Sequence, residues 1–202
     1  LNDGDDCFVL MPGVNSLLGD KLTAFALHTT GIPFGVNKEL EIIKQLFDCS
    51  TLFDVMTDLK EVATTYDNAV ITEMKYRNLE IKKEDVLADT IKGCLCVASR
   101  GRYGEEYSQY ITGINQIDNH IINGSLTGET AGALACRVLY LATLILFKEN
   151  QFISVENEAE YEDKKPTLLT PKWFSYLLMK DPISYAYMIE ADRMLKNHDF
   201  II

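Results

Sequence analysis

The sequence predicts an all-α protein, an antiparallel helical bundle with a short N-terminal strand, and three observations carry that expectation. Apolar residues recur at the i, i+3, i+4 spacing of a helix face through nearly all of the chain after residue 14. The breaks between these runs are short and hold Gly, Pro, Asn or Asp. A hydrophobic content of 47% in 202 residues is enough to build a core for one domain, or for one domain with an appendage.

Cys7-Phe8-Val9-Leu10-Met11, ending at Pro12-Gly13, reads as the strand, an edge strand of a further sheet. Residues 1–13 are therefore expected to be the remnant of a preceding domain, and residues 14–149 to form the bundle. Asn15 is placed to cap a helix from Ser16 to about His28, with Leu17, Leu18, Leu22, Phe25 and Ala26 on a broad apolar face and Lys21 at its edge. Thr29-Thr30-Gly31-Ile32-Pro33 stops that helix in a loop whose two hydroxyls and free amides suit an anion. A second helix runs from about Lys38 to Phe47 or beyond. Leu40, Ile43, Leu46 and Phe47 point inward, Lys38, Glu41, Lys44 and Gln45 lie off the stripe, and Asp48 borders it. Lys21 and Asp48 are thereby expected to face each other.

Thr57 is the expected cap of a helix from Asp58 to about Leu79. Ile81 to Asp85 opens the next, which ends near Ser99-Arg100-Gly101. Tyr107, Tyr110, Ile111, Ile114, Ile117 and Ile121 mark another, closed by Asn123-Gly124. The helix from about Gly128 to Lys148 is the most hydrophobic and is expected at the centre. Residues 150–169 are acidic and read as a solvated loop with at most a short helix. Residues 170–202 read as a helical pair packed on the bundle, started by Thr170-Pro171 and Asp181-Pro182, each a capping residue with Pro at the first helical position.

Composition narrows the function. A net charge of −11 leaves too few clustered cations for broad nucleic-acid binding. Cys7, Cys49, Cys94, Cys96 and Cys136 are odd in number and lack paired zinc-site spacing, and His28, His120 and His198 are scattered, so buried free thiols in a reducing cytosol are expected. The apolar run Val138 to Phe147 is too short to span a bilayer, and no membrane partner is expected.

A lysine on an amphipathic helix is usually a solvated charge and an aspartate near a helix end usually a cap. The order of residues is more specific than either. Leu-Leu-Gly-Asp-Lys-Leu-Thr-Ala-Phe (17–25), Thr-Thr-Gly-Ile-Pro (29–33) and Lys-Glu-Leu-Glu-Ile-Ile-Lys-Gln-Leu-Phe-Asp (38–48) together resemble the third and fourth motifs of the AbiEii/AbiGii toxin family, nucleotidyltransferases of bacterial abortive-infection and toxin–antitoxin systems. The resemblance covers about forty residues and becomes diffuse beyond them. It implies that Lys21 contacts nucleotide phosphates and that Asp48 belongs to the acidic fourth motif. Gln45 departs from that motif, standing where an aspartate is common. Lys44 of the same segment, with Thr29 and Thr30 on their chemistry, is expected to join Lys21 as a nucleotide contact.

The resemblance further implies Mg2+ and a nucleoside triphosphate for the intact protein, a cognate antitoxin as partner, and an acceptor that includes tRNA in some members. The family's metal-holding Gly-Ser turn and Asp-x-Asp are missing: Gly124-Ser125 has no Asp-x-Asp after it, and Asp3-Gly4-Asp5-Asp6 has no Gly-Ser before it. The chain is therefore expected to be the C-terminal part of a longer enzyme, to hold no metal itself and to be inactive alone. Two alternatives stand beside this reading. One is a non-catalytic helical interaction module; the other is a metal-independent ribonuclease resembling HEPN bundles, on the Arg-x4-His spacing of Arg193 and His198.

Overall fold

The computed structural model describes residues 11–117 and 125–202. The expected strand, apart from Met11, lies outside them, as do Asp3–Asp6, His120, Ile121 and the Asn123-Gly124 stop. The described residues form an all-α bundle without a strand: α1 (Val14–Leu22), α2 (Glu39–Phe53), α3 (Leu59–Tyr76), α4 (Lys83–Ala98), α5 (Tyr107–Ile117), α6 (Gly128–Leu146), α7 (Leu177–Lys180) and α8 (Pro182–Asn197).

Several helices begin where a side chain satisfies the first free amides. Thr127 accepts from the Thr130 N–H at 3.2 Å, and the Thr127 N–H donates to the Thr130 hydroxyl at 2.7 Å. Asp181 accepts from the Ser184 N–H at 2.9 Å ahead of Pro182. Two expected caps are corrected. Asp58 rather than Thr57 caps α3, accepting from the Lys60 and Glu61 amides at 2.9 and 3.1 Å, because a carboxylate reaches two amides and suits the positive end of the helix. Asn15 lies within the first turn of α1, after Gly13 at the cap position. Its carbonyl oxygen accepts from the Thr57 N–H at 3.0 Å and its amide nitrogen donates to Glu61 at 2.9 Å, so it ties α1 to the start of α3 instead of capping its own helix.

The helix expected over Lys172–Lys180 is broken into a 3-10 turn, Pro171–Trp173, and the single turn of α7. Phe174, Tyr176 and Leu177 are all buried and Trp173 is half-buried, a nearly continuous apolar run that one helical face cannot hide. Breaking the helix hides it.

By length and composition α6 could cross a bilayer, but 72% of its apolar 18-residue stretch is buried here, and the helix packs against α2, α4, α5, α7 and α8. It is the central helix of the core. The largest helix contacts are not between sequence neighbours: α4 packs with α6, α1 with α3 and α6 with α8, each skipping one helix, and α2 with α5, skipping two. The acidic segment after α6 holds a 3-10 turn, Glu158–Tyr161, that rests on α8. Its end is gripped by buried Asp192, which accepts from the backbone N–H groups of Thr167, Leu168 and Leu169 at 2.7, 3.0 and 2.7 Å.

Candidate functional site

α1 and α2 bring Lys21 and Asp48 together, with the Lys21 ammonium 2.7 Å from an Asp48 carboxylate oxygen and both side chains partly exposed. The backbone geometry behind this is tight. Gly19 sits where α1 crosses α3, and a Cβ there would lie 2.5 Å from the Val62 carbonyl oxygen and 2.9 Å from the Thr65 Cβ. Only glycine lets the helices approach this closely, and Lys21 follows two residues later.

Beside the pair lies a cleft of 380 Å³ whose wall includes Lys21, Thr30, Gly31, Gln45, Glu73 and Arg77. Asp48 is not part of the wall and reaches the cleft through Lys21. Arg77, which follows α3, is a second cation of the wall, 3.3 Å from Glu73. The sequence reading missed it because nothing local marks an arginine after a helix as part of a site formed 56 residues earlier. Gln45, noted as a departure from the acidic motif, presents a neutral amide to the cleft.

The loop after α1 differs from expectation. α1 ends at Leu22, not His28, and tightens into a 3-10 turn over Thr23–Phe25. The Thr29 and Gly31 amides donate to the Ala26 carbonyl at 3.1 and 2.6 Å, and the buried Thr30 hydroxyl donates to the Thr23 carbonyl at 2.7 Å. These groups satisfy the open end of the helix, so they are not free to bind an anion. Thr29 faces away from the cleft, its hydroxyl donating to Asp89 at 2.9 Å. Lys44 is not part of the cleft wall and makes no ion pair among the described residues. Of the five residues read from sequence, Lys21 and Thr30 form the cleft wall, Asp48 supports it, and Thr29 and Lys44 lie elsewhere.

Across the loop from this cleft is a cluster that no local motif announces. The His28 imidazole sits between two carboxylates, Nδ1 at 2.8 Å from Asp89 and Nε2 at 2.8 Å from Glu106, while the His28 backbone N–H also donates to Asp89. The hydrogen bond to Asp89, then that to Glu106, raise the His28 pKa above its ordinary 6.5, outweighing its partial burial. This histidine is one wall residue of a cavity of 440 Å³, together with Lys92, Leu95, Cys96, Tyr103 and Glu106.

The remaining chemistry-bearing groups have partners of their own. Arg193 is 2.6 Å from Glu190, and His198 stacks on Phe147 with ring centroids 4.0 Å apart, so each has a structural partner. Trp173 packs edge-on against Tyr103 at 4.8 Å. Cys49, Cys94, Cys96 and Cys136 are free and buried, and burial pushes the Cys96 thiol up to about 11 and Cys49 to about 12, far from the thiolate a nucleophile needs. Among the described residues no three His, Cys, Asp or Glu side chains are grouped as metal ligands. Comparison with protein-family models, curated proteins and solved structures returns no match for this chain.

Proposed function

We propose that this chain is the helical half of a nucleotidyltransferase of the AbiEii/AbiGii toxin kind, acting in the bacterial cytoplasm on a nucleoside triphosphate and an acceptor such as tRNA, and restrained by a cognate antitoxin. The observation that carries the reading is the 2.7 Å contact of Lys21 with Asp48 at the edge of a cleft whose wall also holds Arg77. Such a pair suits a triphosphate. Asp48 fixes the ammonium in place, and Lys21 with Arg77 offsets the charge that builds on the leaving pyrophosphate, without solvent having to reorganise.

The wall of this cleft does not suit Mg2+. Of the two acids on the cleft wall, Glu73 is engaged by Arg77 and leaves Asp20 by itself, short of the oxygen set a magnesium ion needs. The metal is assigned to carboxylates outside the described residues, and the role proposed for this chain is to bind and orient phosphates.

Lys21→Ala tests the proposal against Lys82→Ala, an exposed lysine outside the cleft. In the full-length protein, nucleotide transfer and growth inhibition without antitoxin should fall roughly 10²- to 10³-fold for Lys21→Ala only, the scale of losing one preorganised charge. Melting should stay unchanged, since an ion pair this exposed contributes about 0–1 kcal/mol. Full toxicity in Lys21→Ala would remove the catalytic role, and lost toxicity with a collapsed melt would make the lysine structural.

A further inference from the structure

The 440 Å³ cavity between the loop after α1, α4 and the residues leading into α5 is separate from the Lys21 cleft and is not used by the proposed transfer. Its wall is largely apolar: Leu95 and Cys96 are buried in α4, Tyr103 offers an aromatic ring, and Ile202 closes one side. The volume falls in the range, about 300–1,000 Å³, that accommodates one small organic molecule. Three charged residues reach the wall, and their pairing decides what such a molecule must carry. His28 and Glu106 satisfy each other at 2.8 Å, with Asp89 on the other ring nitrogen. Lys92 is exposed on the wall and makes no ion pair among the described residues. The cavity therefore presents an apolar interior, two carboxylates engaged by one imidazole, and in Lys92 one cation that no side chain pairs among the described residues.

We infer that this cavity is a second ligand site, which takes a small amphipathic acid, an aromatic or aliphatic body with a single anionic group set against Lys92. The complementarity is specific in sign. An amine would meet Lys92 as a like charge and would find Glu106 already bound to His28, and a wholly neutral molecule would leave Lys92 without a counter-charge. A triphosphate fits poorly, since one free cation faces it across an otherwise apolar wall. The site is independent of the nucleotide reading and can fail or hold without it.

The probe is 8-anilinonaphthalene-1-sulfonate, an aromatic body with one sulfonate whose fluorescence rises in apolar surroundings, titrated into the purified chain. N-phenyl-1-naphthylamine, the same body without the sulfonate, is the matched neutral probe. Wild type should bind the sulfonate saturably at one site. Lys92→Ala should weaken that binding about five-fold, the scale of one partly exposed charge pair, while changing N-phenyl-1-naphthylamine binding less than about two-fold. Lys21→Ala removes the same charge from the other cleft and should leave both probes unchanged. The proposal is overturned if the sulfonate shows no saturable binding, if Lys21→Ala weakens it as much as Lys92→Ala does, or if the neutral probe is lost in parallel with the charged one. Lys92 is exposed, so its replacement should not disturb folding, and matched melting curves check this.

Discussion

Lys21 and His28 stand only seven residues apart, yet their surroundings assign them opposite behaviour. Lys21 has one carboxylate partner and an open cleft, which leaves its charge available to a ligand. His28 has a carboxylate on each ring nitrogen, so its charge is consumed within the fold. The consequence is a pH dependence whose sign follows from the raised pKa. A histidine that is easier to protonate folded than unfolded adds stability that is fully present below its unfolded value near 6.5 and is lost as pH rises through the higher folded value. Comparing the melting of wild type with His28→Asn between about pH 5.5 and pH 9 should show the wild-type advantage shrinking at the alkaline end. The imidazole is more than half exposed, so the advantage, discounted for solvent screening, should stay under about 1 kcal/mol. A difference that grows with pH would contradict the double carboxylate contact.

At the scale of elements, the cleft depends on how closely α1 lies on α3. Gly19→Ala would push a methyl group into the Val62 carbonyl and the Thr65 side chain, both on α3. Backbone cannot yield as a flexible side chain can, so the helices must separate. The expected cost is about 1–3 kcal/mol, as for overpacking elsewhere, read from denaturant unfolding. Because Lys21 sits half a turn beyond Gly19, triphosphate affinity should fall with stability. Unchanged stability would mean that the two helices are not packed as described. The periodicity of α1 was legible in the sequence, whereas its early end at Leu22 was not. That end is set by hydrogen bonds from Thr29, Thr30 and Gly31 back to the carbonyls of Thr23 and Ala26, which a hydrophobic pattern does not record.

For the whole molecule, one partly buried charge joins segments that are far apart in sequence. Arg137 of α6 is 2.9 Å from Asp54 after α2 and 2.9 Å from Asp181 at the start of α8, and it also donates to Ser184. Removing one member of a buried ion pair leaves the others uncompensated and typically costs about 3–5 kcal/mol. Asp54 is half exposed, which lowers the expectation for Arg137→Ala to roughly 2–4 kcal/mol. Thermal unfolding of this variant should stay cooperative at a lower midpoint. A loss below about 0.5 kcal/mol, the scale of an ordinary surface change, would show that the C-terminal helices are held by apolar contact with α6 alone.

What the sequence determined by itself was local. Helical spacing, Pro at the first position of α8 and the apolar excess of Gly128–Leu146 act over a turn or two of chain, and all three survive in the structure. The juxtaposition of Lys21 with Asp48 was legible too, because both residues lie within adjacent helices joined by one loop. Arg77 in the cleft, and His28 between Asp89 and Glu106, were not. Their partners lie 61 and 78 residues away for His28, and only the crossing of α1 over α3 brings Arg77 to the wall. The tertiary structure also decided against the anion-binding loop: the hydroxyls of Thr29 and Thr30 are donors, but the fold itself supplies their acceptors, a carbonyl at a helix end and the partly buried Asp89 carboxylate.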